Sequence, residues 1–254
     1  MINVGIIGCG FVGGALKNWL EHNNPQCKLF ISDPPKGYND DLSGIDVAFV
    51  QIHVPTEDDG TQDLTLMKEL ITNLPNVPIF VRTTILPFTS EKLSTETNHK
   101  VYYLPEFLTE RTYIEDFNKQ TMIFTAEHEL LAKIFIGKKF IKMSPLEAEL
   151  TKYMHNVFGA YKVTYFNACR EYCEQIGRGG VEWSKVRQGM LLSGYINDTH
   201  TYVPGPDGKY GYGGKCFPKD VNAFAKMTEG TSLGILLKDL HNLNVHFRGF
   251  EEDI

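Results

Sequence analysis

The segment Gly211–Asp220, GYGGKCFPKD, surrounds one thiol with three glycines and places Pro218 two residues after it. Glycines allow tight backbone turns, and a proline suits the first turn of a helix. Cys216 is therefore expected at or just before a helix N-terminus. The partial positive charge there favours thiolate, the nucleophilic form, and Lys215 and Lys219 add to it. The competing account is a buried structural cysteine in a turn. Lys152 and Asn156, four residues apart, share one face of a helix. A lysine stabilises a developing oxyanion and an asparagine orients a hydroxyl or a water; the competing account is a solvated helix surface. The opening VGIIGCGFVGGAL places Gly8, Gly10 and Gly13 as G-x-G-x-x-G between an apolar strand and an apolar helix. The first glycine permits the turn, the second lets a pyrophosphate approach, and the third lets helix pack on strand. Asp33 ends the next strand, KLFISD, where a carboxylate accepts ribose hydroxyls and repels the extra phosphate of NADP. NAD is the cofactor expected, with Lys36 the one residue pointing the other way.

Positioning these groups requires two kinds of element. In the first half, short apolar runs alternate with helical segments: VGII near Val4, KLFIS ending at Ser32, VAFVQI from Val47, IFVRT from Ile79, VYYL from Val101, MIF at Met122 and FIKM at Phe140. Continuous apolar runs suit strands buried on both faces, and their alternation with helices predicts a doubly wound, mainly parallel sheet. After Met143 the pattern becomes helical. One long helix is expected over Pro145–Ile176, with Ser144 as N-cap, Pro145 in the first turn and Glu147 three residues after the cap, and Gly177 ending it. Further helices are expected around Trp183–Leu192, Lys219–Met227 and Ser232–Phe247. The fold class is α/β: a Rossmann-like domain over 1–143, then an all-helical domain over 144–254 carrying the lysine and the cysteine.

The 254 residues include 25 basic and 31 acidic ones, for a net charge of −6. That argues against nucleic-acid and anionic-membrane partners. No apolar run reaches a membrane span, and the first residues lack a signal-peptide pattern. Five cysteines without zinc-site spacing predict reduced thiols in the cytoplasm, with no metal and with Cys169 and Cys173 as packing residues.

The motifs resemble, in order, those of the UDP-glucose/GDP-mannose dehydrogenase family. GCGFVG is similar to its dinucleotide fingerprint, VPTEDDGTQDL (Val54–Leu64) to its V-P-T-P…D-G…D-L segment, and RTTILPFT (Arg82–Thr89) to R-S-T-V-L-P-G-T. LPEFLTER (Leu104–Arg111) resembles N-P-E-F-L-x-E-G, EAELTKYMHNVFGAYKV (Glu147–Val163) resembles E-A-E-L-x-K-Y-x-x-N-x-F-L-A-x-K, and GYGGKCFPKD resembles the cysteine motif. The resemblance implies oxidation of a nucleotide-sugar CH₂OH group, expected to be that of UDP-glucose, to a carboxylate with two NAD⁺, in polysaccharide biosynthesis. Cys216 would attack the intermediate aldehyde, a thioester would follow, and water would hydrolyse it. Lys152 would stabilise the oxyanions, Asn156 position substrate or water, Asp220 assist proton transfer, Glu106 act around hydrolysis, and Thr84 hold the water or contact the cofactor. The cofactor set adds Phe11, Val12, Val54, Pro55, Thr56 and Glu110. The substrate set adds Phe107, Leu108, Tyr202, Gly208, Gly211 and Gly213. A homodimer through the long helix, apolar at Tyr153, Val157, Tyr161 and Tyr165, is also implied, burial within the monomer being the competing account.

The sequence departs from the family at Leu104, Phe88 and Arg111, the last two replacing glycine, and only a dozen residues separate Asp33 from Asp46. Family enzymes also carry a third domain that holds the nucleotide. Here the loop His200–Tyr212 or a partner subunit is expected to take that role, or the substrate differs. Two other functions compete: a β-hydroxyacid-type dehydrogenase, which needs no thiol, and a non-catalytic NAD-binding or assembly subunit.

Overall fold

The structure, a computed structural model, describes residues 1–57, 59–124, 128–176 and 180–249. Gly177, expected to end the long helix, lies outside them. In chain order the elements are β1 (Ile2–Ile7), α1 (Phe11–Asn23), β2 (Cys27–Asp33), a 3₁₀ turn (Pro34–Lys36), β3 (Tyr38–Asn39), β4 (Val47–Val50), α2 (Thr65–Thr72), β5 (Ile79–Val81), α3 (Thr89–Thr97), β6 (Val101–Tyr103), α4 (Tyr113–Lys119), β7 (Met122–Phe124), α5 (His128–Ile134), β8 (Phe140–Lys142), α6 (Pro145–Ile176), α7 (Trp183–Leu191), α8 (Phe217–Met227) and α9 (Ser232–Arg248). They form two compact units, Met1–Glu57 with Gln62–Tyr153, and Asp58–Thr61 with Met154–Ile254.

The first unit is a mixed α/β layer structure. Its six-stranded sheet runs β3-β2-β1-β4-β5-β6. β1 pairs in parallel with β2 and β4, and the parallel pairing continues through β5 to β6. The order reverses between β1 and β4, the place where open α/β sheets bind ligands beyond the strand ends. The period of two along the strands is visible in the core. Val4, Ile6, Val47, Phe49 and Phe80 join one apolar cluster, while Ile7, Ala48, Val50, Ile79 and Val81 join another. Both faces are thus covered, which explains the continuous apolar runs, and each fully buried large side chain stabilises the fold by about 2 kcal/mol.

Two pairings differ from expectation. β7 and β8 form a separate two-stranded parallel sheet, although their apolar runs look like those of the main sheet. The short β3 pairs antiparallel with β2, because only the 3₁₀ turn at Pro34–Lys36 joins them, too short for a parallel crossover.

In the second unit, α6 continues from Met154, joined by α7, α8 and α9, with α8 packed on α9. The N-terminus of α6 lies in the first unit and carries the anticipated capping box. Glu147 Oε2 accepts from the Ser144 N–H at 2.7 Å, and Ser144 Oγ accepts from the Glu147 N–H at 3.3 Å. The helix is two-sided. Tyr153 and Val157 are buried, whereas Met154, Phe158, Tyr161, Tyr165, Tyr172 and Ile176 are exposed. Cys173 is buried and Cys169 half-buried, in keeping with packing roles. α8 starts two residues earlier than expected, and α7 and α9 end within one residue of expectation.

Candidate active site

Each unit carries one group of candidate residues. In the first, the turn from β1 to α1 is built around its glycines. Gly8 has φ +85°, and a Cβ there would stand 2.7 Å from the Gln51 carbonyl oxygen. A Cβ on Gly13 would lie 2.1 Å from the Gly8 oxygen, whereas one on Gly10 would meet nothing within 4 Å. Two glycines are therefore required by packing, and the third leaves open space at the start of α1. That helix has no acidic residue in its first turn, so its N–H groups and dipole are available to an anion. Phe11 and Val12 follow, half-buried. Asp33 ends β2 with Oδ2 2.8 Å from the Cys9 N–H. Lys36 donates to the Cys9 carbonyl at 2.7 Å and stands 3.8 Å from the Asp33 carboxylate. Val54 is buried, Pro55 exposed, and the buried Thr56 hydroxyl has no hydrogen-bond partner among the described residues. An open glycine at a helix N-terminus, an acidic strand end and an orphaned hydroxyl are a donor and acceptor set that fits a dinucleotide.

Beyond β6, Glu106 and Lys152 form a buried ion pair. Lys152 Nζ donates to the Glu106 carbonyl at 2.6 Å and to Oε1 at 2.8 Å, and both residues are under 7% exposed. Burial opposes the charge on Glu106. The Lys152 ammonium, its hydrogen bond, the Leu108 N–H at 2.7 Å and the Arg82 guanidinium outweigh that, holding the carboxyl below the usual range. Phe107, half-buried, lies with its ring 5.5 Å from the same ammonium. Thr84 is buried, and its carbonyl accepts from Gln62 Nε2 at 3.3 Å. Glu110 is exposed on the turn before α4.

Sequence reasoning missed several anchors of this unit. Gln62 also donates to the Tyr153 hydroxyl at 3.1 Å and accepts from the Leu86 N–H at 2.9 Å. Glu149 accepts from the N–H groups of Phe88 and Ser90, at 2.7 and 2.8 Å, and from the Ser90 hydroxyl at 2.7 Å. Phe88, where the family pattern has glycine, indeed holds a left-handed φ of +72°. The signal available was Glu149 itself, an acid between Ala148 and Leu150.

In the second unit, Cys216 is exposed and directly precedes α8 as its N-cap residue. Its carbonyl accepts from the Asp220 N–H at 2.9 Å. Asp220 is fully buried one turn later, with Oδ2 2.6 Å from Asn156 Nδ2. Lys219, expected to add positive charge beside the thiol, is ion-paired with the Asp220 carboxylate. His155 Nδ1 lies 3.1 Å from Asn156 Oδ1.

The loop before Cys216 is tied down. The Gly211 N–H donates to Asn167 Oδ1 at 2.9 Å and the Tyr212 N–H to Asn244 Oδ1 at 2.6 Å. Arg248 Nε donates to the Tyr212 carbonyl at 3.0 Å, and a Cβ on Gly213 would stand 2.2 Å from the same guanidinium. Gly208 and Gly211 take φ of +77° and +70°. Exposed Tyr202 donates to Asp198 at 3.0 Å beneath the Arg187 guanidinium, 3.7 Å from its ring. Asn167, Asn244 and Arg248 carried no sequence signal, being separated from the loop by more than 30 residues.

Residues 146–244 match the model of the UDP-glucose/GDP-mannose dehydrogenase family, central domain. A UDP-glucose 6-dehydrogenase of Rhizobium meliloti is 30% identical over 222 residues, covering 76% of this chain and 49% of that protein. One from Rickettsia felis is 28% identical, with 76% and 46% covered. The chain thus spans about half the length of these curated relatives. Among solved structures, a UDP-glucose dehydrogenase from Pyrobaculum islandicum superposes with a TM-score of 0.80 at 22% identity, covering 97% of this chain and 68% of that one. At that identity the likeness shows a shared fold.

Proposed function

We propose that this chain, whose residues 146–244 match the model of the UDP-glucose/GDP-mannose dehydrogenase family, central domain, is an NAD-dependent dehydrogenase that oxidises C6 of a nucleotide sugar, UDP-glucose, to the uronate. The observation that carries the reading is the exposed Cys216 at the head of α8, one turn from a buried Asp220 held by Asn156. A thiol at a helix N-terminus gains nucleophilicity from the positive end of the dipole. The rival β-hydroxyacid chemistry has no use for it.

Gly8, Gly10, Gly13 and the N-terminus of α1 would hold the cofactor's pyrophosphate and Asp33 its adenosine ribose, with Val54, Pro55, Thr56 and Glu110 completing the pocket. When bound, NAD⁺ accepts the hydride in both oxidations. The chain's residues do the rest. A base takes the C6 hydroxyl proton as the alcohol becomes an aldehyde. The Cys216 thiolate adds to the aldehyde carbon, and Lys152 stabilises the alkoxide of the hemithioacetal. Loss of a second hydride leaves a thioester on Cys216. Glu106 deprotonates a water positioned by Thr84, the water attacks, the C–S bond breaks, and the carboxylic acid formed passes its proton to the departing sulfur, releasing carboxylate and the Cys216 thiol. Asn156 orients the reacting oxygen and Asp220 accepts the proton that the thiol sheds. Phe107, Leu108, Tyr202, Gly208, Gly211 and Gly213 would contact the substrate.

The exposed stripe of α6, Met154, Phe158, Tyr161, Tyr165 and Tyr172, fits a second copy of the chain in a homodimer. Among the described residues no helix is long and apolar enough to cross a membrane, and a thiol nucleophile suits a reducing, cytoplasmic setting.

Purified protein, NAD⁺ and a panel of nucleotide sugars test this by NADH absorbance. Two NADH per UDP-glucose are expected; one per substrate would favour β-hydroxyacid-type chemistry, and silence across the panel a non-catalytic subunit. Cys216→Ala should abolish uronate formation and leave NAD affinity unchanged. Unaltered turnover in that variant would rule out the covalent route.

A further inference from the structure

Among the described residues, Arg82 is a large, fully buried side chain that the proposed chemistry does not use. It follows β5, as Glu106 follows the adjacent β6, and Val81 and Tyr103 are paired in the register of those strands. Its backbone N–H is fixed to the Val50 carbonyl at 2.8 Å. The side chain has no solvent exposure, and none of its guanidinium nitrogens has a hydrogen-bond partner among the described residues. It lies 5.1 Å from the Phe117 ring. Almost all buried polar groups are hydrogen-bonded, and a buried charge without an acceptor is costlier than a methionine of similar length.

The neighbouring Glu106 shows what the charge offsets. Lys152 spends two hydrogen bonds on Glu106. Its third N–H remains for a substrate oxyanion, whose negative charge then offsets much of the ammonium's pull on Glu106. A buried carboxylate whose one cation is neutralised in this way takes up a proton. A protonated Glu106 cannot accept a proton from water. The groups whose charge or hydrogen bonds act on this carboxylate are Lys152 from α6, the Leu108 N–H and the Arg82 guanidinium; Tyr103 from β6 and Lys138 before β8 act on Arg82 in turn. Burial pushes Arg82 down to about 10, so it stays charged near neutral pH.

We propose that Arg82 is a positioning residue that keeps Glu106 ionised while Lys152 also serves an oxyanion. The inference rests on the assignment of Glu106 as base, and the test separates the two. In a ¹³C-glutamate-labelled Lys152→Met chain, compared with Lys152→Met/Glu106→Gln, the Glu106 carboxyl should remain ionised at pH 7. Adding Arg82→Met should raise its midpoint by about one pH unit or more, and Arg82→Lys should restore it. A protonated Glu106 at pH 7 in Lys152→Met, or a midpoint indifferent to Arg82→Met, overturns the proposal. In turnover, the acid limb of the pH profile should move upward by a similar amount in Arg82→Met, return in Arg82→Lys, and leave KM for NAD⁺ unaltered. If Arg82→Met does not fold, the Lys152→Met titration decides alone. A chain that turns over no nucleotide sugar in any form sinks the dehydrogenase reading, while the carboxyl titration still decides the role of Arg82.

Discussion

At the scale of single residues, the three glycines after β1 do different work. Gly13 sits so close to the Gly8 carbonyl that a methyl group has no room, while Gly10 faces open space. Gly13→Ala should therefore lower stability by about 2 kcal/mol or more, the range for forcing extra atoms into a packed site, and show it as a reduced melting temperature. Gly10→Ala should melt with the unsubstituted protein yet bind NAD⁺ at least tenfold more weakly by calorimetry, because its methyl group would occupy the space proposed for pyrophosphate. Equal behaviour of the two variants would contradict this division. Spacing announced all three glycines and their division of labour, the second for the ligand and the other two for the fold. What it did not give is the backbone the two packed glycines meet, the Gln51 and Gly8 carbonyls, which a motif does not record.

At the scale of elements, Glu149 reaches from α6 to the Phe88–Ser90 turn and closes the open N-terminus of α3 from outside. Phe88 as N-cap residue makes no side-chain cap of its own, so the remote carboxylate supplies what a local Ser or Asp would. Glu149→Ala should cost about 3 kcal/mol, since it leaves buried donors unpaired, and hydrogen exchange should quicken first at Phe88 and Ser90. Local signals gave α6 correctly, because its capping box and proline lie within four residues of one another. They also gave seven strands, since an apolar run is a property of the run alone. They gave neither the separation of β7 and β8 from the main sheet nor the Glu149 clamp and the Asn167–Asn244 ties on the cysteine loop. Those are pairings between segments distant in sequence, and each partner looks ordinary by itself. The candidate site divides the same way. Cys216, Asn156 and Lys152 could be named from their spacing, whereas the Glu106–Lys152 ion pair and the Asp220–Asn156 hydrogen bond required the folded chain.

At the scale of the molecule, the two-sided α6 decides how the protein should behave in solution. Phe158 is 66% exposed on its outer stripe, and a second copy is the proposed cover. Sedimentation should find a dimer, and Phe158→Glu, which places a charge where the apolar faces would meet, should yield a folded monomer with unchanged helicity. A monomer in the unsubstituted protein would remove the dimer. The same molecule also carries a spring that can be released. Phe88 occupies a left-handed conformation that disfavours any residue with a Cβ, and the residue is 54% exposed, so little packing is gained in return. Phe88→Gly should relax that torsion, keep the Glu149 anchor on its N–H, and stabilise the protein by about 1 kcal/mol, a gain of a few degrees in melting temperature. The turn would then be a place where thermal tolerance can be raised without touching any group assigned to catalysis.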